Sequence, residues 1–323
     1  MTDRDPETMS LCVLKERADL RTLTFVATYY VLIAVGFTTD LSWTKTALLS
    51  VTLCLTSFFC AVITHNTVHA PIFKSKRMNR VFQVVLSLTY GHPVSAYVPG
   101  HNLSHHRYTQ TARDIMRTTK LRFRWNVLNQ LLFSTVVGPA IFKANLDYVR
   151  AMRKERPGWY RQFLIEATFY VSFLALALIL DWQKFFLFVF IPHQYAAFGI
   201  MGINFVQHDG CDPNEKYNHS RNFTGKLVNW FTFNNGYHGI HHMHPSLHWS
   251  KLPEAHAREL RPNLHPNLDR TALLPYLWEA YGWPGKRLRY DGTPLVLDPA
   301  VPDEEWFQAR ETFDPSDLGA VAR

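Results

Sequence analysis

Four apolar runs, at residues 23–39, 46–64, 163–180 and 185–205, constrain this chain more than any other feature of its sequence. A helix rises about 1.5 Å per residue, so about 20 apolar residues cross a hydrocarbon core of about 30 Å. The runs come in pairs joined by short polar stretches, residues 40–45 and 181–184, and each pair reads as a membrane hairpin. The mean hydropathy of −0.13 hides this pattern, because the apolar runs alternate with very polar segments. With 47% of the residues apolar and 19% charged, the expected fold class is an all-α integral membrane protein. It has four transmembrane helices in two hairpins, interfacial helices and a cytoplasmic helical cap.

The net charge of +8 is compatible with either a nucleic-acid surface or a membrane surface, and its distribution decides. Basic residues concentrate in 15–21, 74–80, 107–124 and 143–161, each beside an apolar run, which is the positive-inside pattern and not a nucleic-acid footprint. Two weaker runs, 81–98 and 125–142, are flanked by basic residues on both sides. A single pass through either would export a basic loop, so both read as interfacial or re-entrant. With the amino terminus inside, residues 71–162 and 209–323 are cytoplasmic, and both termini share that side. Residues 1–22 read as a cytoplasmic or interfacial arm, 23–298 as one catalytic domain, and 299–323 as a mobile acidic tail. Cys12, Cys54, Cys60 and Cys211 form no paired spacing, which points to a reducing compartment and away from a thiolate metal site. No small-residue cleavage pattern follows the first run, which therefore reads as an anchor.

Nine of the sixteen histidines fall in four places. They are His65 and His69 in HNTVH, His101, His105 and His106 in HNLSHH, His208 in NFVQH, and His238, His241 and His242 in HGIHH. On a helix, residues three or four apart share a face, so each cluster presents two or three imidazoles in one direction. Burying them together costs solvation and mutual repulsion, and a metal removes both by taking the lone pairs of the neutral rings. Zinc, copper, iron and nickel all accept imidazole. Nine ligands are too many for one ion, so two ions are implied. The isolated His92, His193, His219, His256 and His265 read as structural, and His244 and His248 are left outside the ligand set.

These clusters resemble the boxes of the membrane fatty-acid desaturase family, an H-x(3,4)-H, an H-x(2,3)-H-H and a late H-x-x-H-H, over about residues 50–250. The order and the intervening hydrophobic hairpins also match. The resemblance implies a di-iron centre on the cytoplasmic face, with His65, His69, His101, His105, His106, His208, His238, His241 and His242 as ligands. Asn204, four residues before His208, resembles a family asparagine and would hold a metal-bound water, while Asp114 and Asn234 would orient imidazoles through their other nitrogen. The chain departs from the family where Asp114 is followed by Ile115 and not by proline, which bears on substrate identity.

The implied activity is oxygen-dependent oxidation of a fatty acyl lipid, with O2 as co-substrate and desaturation leading. Hydroxylation, ketolation and alkene-forming decarboxylation share the same boxes. A membrane metal transporter is a rival from another class, but its histidines belong inside the spanning segments. No haem-binding or cysteine-rich redox segment occurs, so electrons are expected from an external carrier, ferredoxin-like or a small haem protein, with its reductase. The basic cytoplasmic face suits an acidic carrier.

Overall fold

The computed structural model describes residues 13–307. Its long helices are α1 (Asp19–Thr38), α2 (Trp43–His69), α3 (Lys76–Tyr90), a short α4 (Asn126–Leu131) leading into α5 (Phe133–Glu155), α6 (Pro157–Leu180) and α7 (Trp182–His208). A π-helix, Pro99–His106, lies between α3 and α4. Two shorter helices, α8 (His238–Met243) and α9 (Leu273–Tyr281), follow α7.

Each of the four apolar runs lies in a helix, apart from Thr39 just past the end of α1, and three of these helices extend well beyond their runs. The apolar stretch marks only the part that needs lipid. Polar ends of α2 and α7 carry the helices on to His69 and His208, so ligand candidates ride on the ends of membrane helices. Close packing is set locally by small residues. A Cβ at Gly36 would stand 2.7 Å from Phe188, and one at Gly199 would stand 2.7 Å from Phe58. By length and composition five helices are able to cross a membrane, the fifth being α4–α5 at Asn126–Glu155. That segment contains most of the run read as interfacial.

The weak run at 81–98 does not form one continuous helix. Helix α3 ends at Tyr90, the chain turns at Gly91 with φ +93°, and it returns through the π-helix. The end of α3 is held among membrane helices by hydroxyl groups. Tyr30 Oη donates to the Val85 carbonyl (2.6 Å), Tyr29 Oη to Leu88 (3.2 Å) and Ser57 Oγ to Thr89 (2.6 Å). The Leu88 and Thr89 carbonyls lie in the last turn, have no intrahelical partner and, away from water, would otherwise be orphaned. His193 Nε2 joins the set at 2.9 Å from Tyr29 Oη and 3.1 Å from the Leu88 carbonyl. The return segment is fastened by Glu166 of α6, which accepts from Ser95 N (2.7 Å), Ser95 Oγ (3.0 Å) and Gln162 Nε2 (2.9 Å).

The carboxy-terminal segment wraps back onto the histidine end of the bundle. Arg287 pairs with Asp209, next to His208, at 2.6 Å and donates to the Leu121 and Thr118 carbonyls. The start of α4 is tied to the same segment, with Asn126 Nδ2 donating to Ala280 (3.0 Å) and Lys286 (3.2 Å). The start of the acidic stretch from residue 299 makes contacts with the rest of the chain as far as Phe307. Asp303 pairs with both Arg117 and Lys120, Glu304 N donates to the Ala112 carbonyl, and Trp306 is buried against Tyr148. Asp303 and Glu304, both solvent-exposed, form ion pairs with the basic loop. Residues 308–323, and residues 1–12 of the predicted arm, lie outside the described residues.

Candidate metal centre

All nine clustered histidines converge, in two groups whose nitrogen atoms lie within 4.8 Å of one another. The first holds His65, His69, His101, His106 and His241, and the second holds His105, His208, His238 and His242. The division cuts across the sequence clusters: each of the three boxes presents two imidazoles to one group, and the second and third boxes send their remaining ring to the other. His65 and His69, four apart on α2, do stay together. In the π-helix the period is longer, so His101 and His106, five apart, meet at Nε2–Nε2 3.1 Å while His105 points to the other group. On α8, His238 and His242 keep to the second group and His241 goes to the first. The groups abut through the His106 and His242 rings, stacked at 4.1 Å.

Hydrogen bonds behind the rings decide what the nitrogen atoms facing inward carry. His105 Nδ1 lies 2.9 Å from Asp114 Oδ2, and His208 Nδ1 lies 3.1 Å from the His219 carbonyl oxygen. A carbonyl and an ionised carboxylate only accept, so each imidazole spends its one proton outward. The Nε2 lone pairs of His105 and His208 therefore meet at 3.1 Å, and His238 Nε2 approaches His208 Nε2 at 2.9 Å. Buried lone pairs facing each other are unfavourable, and a cation between them satisfies them all.

The spacing agrees with this. With metal–nitrogen bonds of about 2.1 Å, ligands at right angles stand about 3.0 Å apart and tetrahedral ligands about 3.4 Å. The contacts at 2.9–3.2 Å across both groups match the right-angle value. Five donors in one group and four in the other, at this spacing, fit two metal ions. Burial first, and then the neighbouring imidazoles, hold His101, His106, His238, His241 and His242 well below the ordinary histidine pKa. These rings are neutral and ready to bind metal at neutral pH. For Asp114, burial alone would raise the pKa, but His105 and the N–H groups of Gln110 and Met116 outweigh it and hold the carboxyl below its usual value.

Other candidates fall in different places. Asn204 lines a cavity beside His65, His101 and His238, and its Nδ2 is buried without a partner among the described residues. Asn234 instead donates to the Trp249 carbonyl at 3.0 Å, with φ +59°, and holds the turn that leads into α8. His244 pairs with Glu259 and His248 with Asp19, both away from the two groups. The cavity itself has no signal in the sequence. It occupies about 160 Å³ with mostly apolar walls from Tyr97, Met116, Ile141, Ile200 and Ile203, contributed by four separate segments.

The sequence profile described as Fatty acid desaturase matches residues 41–272. Among curated proteins the chain is similar to a sphingolipid delta(4)-desaturase of Drosophila melanogaster, 27% identical over 237 residues, covering 69% of this chain and 63% of that protein. It is also similar to a fatty acid desaturase of Bacillus subtilis, 26% identical over 230 residues, covering 60% of this chain and 62% of that protein. The chain thus spans less than two thirds of the length of these relatives. The matched region contains every histidine of both groups and the helices that carry them, and the chain belongs to the fatty acid desaturase family.

Proposed function

We propose that this chain is an oxygen-dependent di-iron membrane oxidoreductase that desaturates a fatty acyl chain. The observation that carries the reading is the cavity whose apolar walls end on His65 and His101 of one histidine group and His238 of the other. Iron bound there supplies the power to activate O2 and remove hydrogen from an unactivated C–H bond. The nine histidines hold it, Asp114 and the His219 carbonyl keep His105 and His208 in the tautomer that binds, and Asn204 Nδ2 is available to hold a solvent molecule. The cavity walls exclude water and align the chain, so the carbon beside the histidines is the one oxidised.

The reading includes four membrane spans, with α4–α5 lying along the cytoplasmic surface. Three contacts support this. Asn126 at the start of α4 bonds to the segment that clamps Asp209, the middle of α5 lines the cavity through Ile141 and Asn145, and Tyr148 near its end packs on Trp159 at the start of α6. These contacts support placing the segment beside the histidines and not across the membrane. Exposed Lys74, Lys76, Arg77 and Arg80 support a cytoplasmic orientation and docking of an acidic electron carrier.

Product analysis tests the activity. Membranes containing the chain, an electron-donor system and a lipid panel are expected to give a new double bond, with about two irons per chain. His241→Ala is expected to abolish product and remove iron from the first group. An alcohol without a double bond would move the assignment to hydroxylation, and metal transport without lipid oxidation would overturn it.

A further inference from the structure

Two buried amide atoms on the cavity wall have no hydrogen-bond partner among the described residues, Asn204 Nδ2 and Asn145 Oδ1. Asn204 stands one turn before His208 and belongs with the histidines. Asn145 does not, since it lies within α5, which carries none of the nine. It is nonetheless close to them. A Cβ added at Gly100, the neighbour of His101, would come within 3.8 Å of Asn145 Oδ1 and within 3.7 Å of Ile141.

A buried acceptor without a donor is costly, and a bare hydrocarbon chain has no donor to offer. Ile141, on the same stretch of α5, shows what a purely apolar ligand requires of this wall. We infer that the substrate itself brings the donor, a hydroxyl or an amide N–H received by Asn145 Oδ1, close to the bond that is oxidised. Geometry keeps the two close: Asn145 Oδ1 lies beside Gly100, the neighbour of His101, and Asn145 lines the same cavity as His65, His101 and His238, so the donor and the oxidised bond belong to one short stretch of substrate. The substrate class is a lipid oxidised near a polar group, not in the middle of a plain acyl tail. This inference rests on the proposed lipid-oxidising function.

The test uses the full chain loaded with iron in phosphatidylcholine vesicles, with a ferredoxin and its reductase. Three lipids of equal chain length are compared: an unsubstituted acyl ester, its 3-hydroxyacyl counterpart and an amide-linked counterpart. Thermal stabilisation by each reads binding without turnover, and pairwise competition reads kcat/KM. At least one donor-bearing lipid is expected to stabilise the protein more and to be favoured about tenfold or more, because a site built for a donor rejects the analogue lacking it. Which one wins tells hydroxyl from amide. Asn145→Leu is expected to erase the preference with metal content unchanged, and Asn145→Asp, which keeps an acceptor, to retain it. Equal binding and turnover of all three lipids by the unmodified chain would overturn the inference, as would a preference that survives in Asn145→Leu. If no lipid is oxidised but a donor-dependent stabilisation remains, the proposed oxidation fails while the binding site stands.

Discussion

Asp114 has no exposed surface and accepts from three groups, His105 Nδ1 (2.9 Å), Gln110 N (2.8 Å) and Met116 N (2.8 Å). Its contribution is to turn the proton of His105 outward so that Nε2 presents a lone pair. Asp114→Asn has an amide that can donate in place of accepting, which releases the ring to the opposite tautomer. Metal affinity of the four-histidine group is expected to fall about 10–100-fold, measured by chelator competition, with the five-histidine group retaining its ion. Equal release from both groups would contradict the assignment of Asp114 to one of them. At this scale the sequence was informative about types and poor about directions. All nine histidines and Asp114 are legible from spacing and resemblance, but Asn234 is directed to the Trp249 carbonyl by a left-handed turn that spacing alone does not reveal.

Between residue and molecule, two irregular elements shape the site. The π-helix Pro99–His106 divides one histidine cluster between two groups, because its longer period brings His101 over His106 and turns His105 away. The turn at Gly91 reverses the chain between α3 and that helix, and there the backbone at φ +93° passes so close to His193 that a Cβ would stand 2.7 Å from the His193 Cβ. Gly91→Ala combines a disfavoured conformation with a steric clash, and a cost of about 1–3 kcal/mol is expected. A thermal melt of the metal-loaded protein in detergent checks it, and an unchanged midpoint would show that the turn relaxes freely. Apolar periodicity located the long helices, since burial in lipid needs a minimum length. It was silent about the π-helix, which packs on α5, and about the break at Tyr90, where the end of α3 packs against α1, α2 and α7.

The molecule as a whole gathers its chemistry at one end of a helical bundle. The proposed four-span topology, with α4–α5 on the surface, would put both chain ends on the side of the histidines, whereas five crossings would separate them. Reporter tags placed before Met1 and after Arg323 are expected to show the same accessibility in sealed, oriented vesicles. Opposite accessibility would make α4–α5 a true span. The carboxy-terminal segment is part of this end of the bundle, for Arg287 grips Asp209 beside His208, and Asp303 ties the strap to Arg117 and Lys120 of the basic loop.

From the sequence alone came the membrane class, the long apolar helices and the nine clustered histidines, because each depends on local composition and spacing. Tertiary structure decided how the nine histidines divide into five and four, which hydrogen bonds set their tautomers, and that residues 299–307 are anchored. It also decided where the cavity is and that Asn145 faces it. Those properties depend on atoms from segments far apart in the chain meeting within a few ångströms, and no local pattern encodes that.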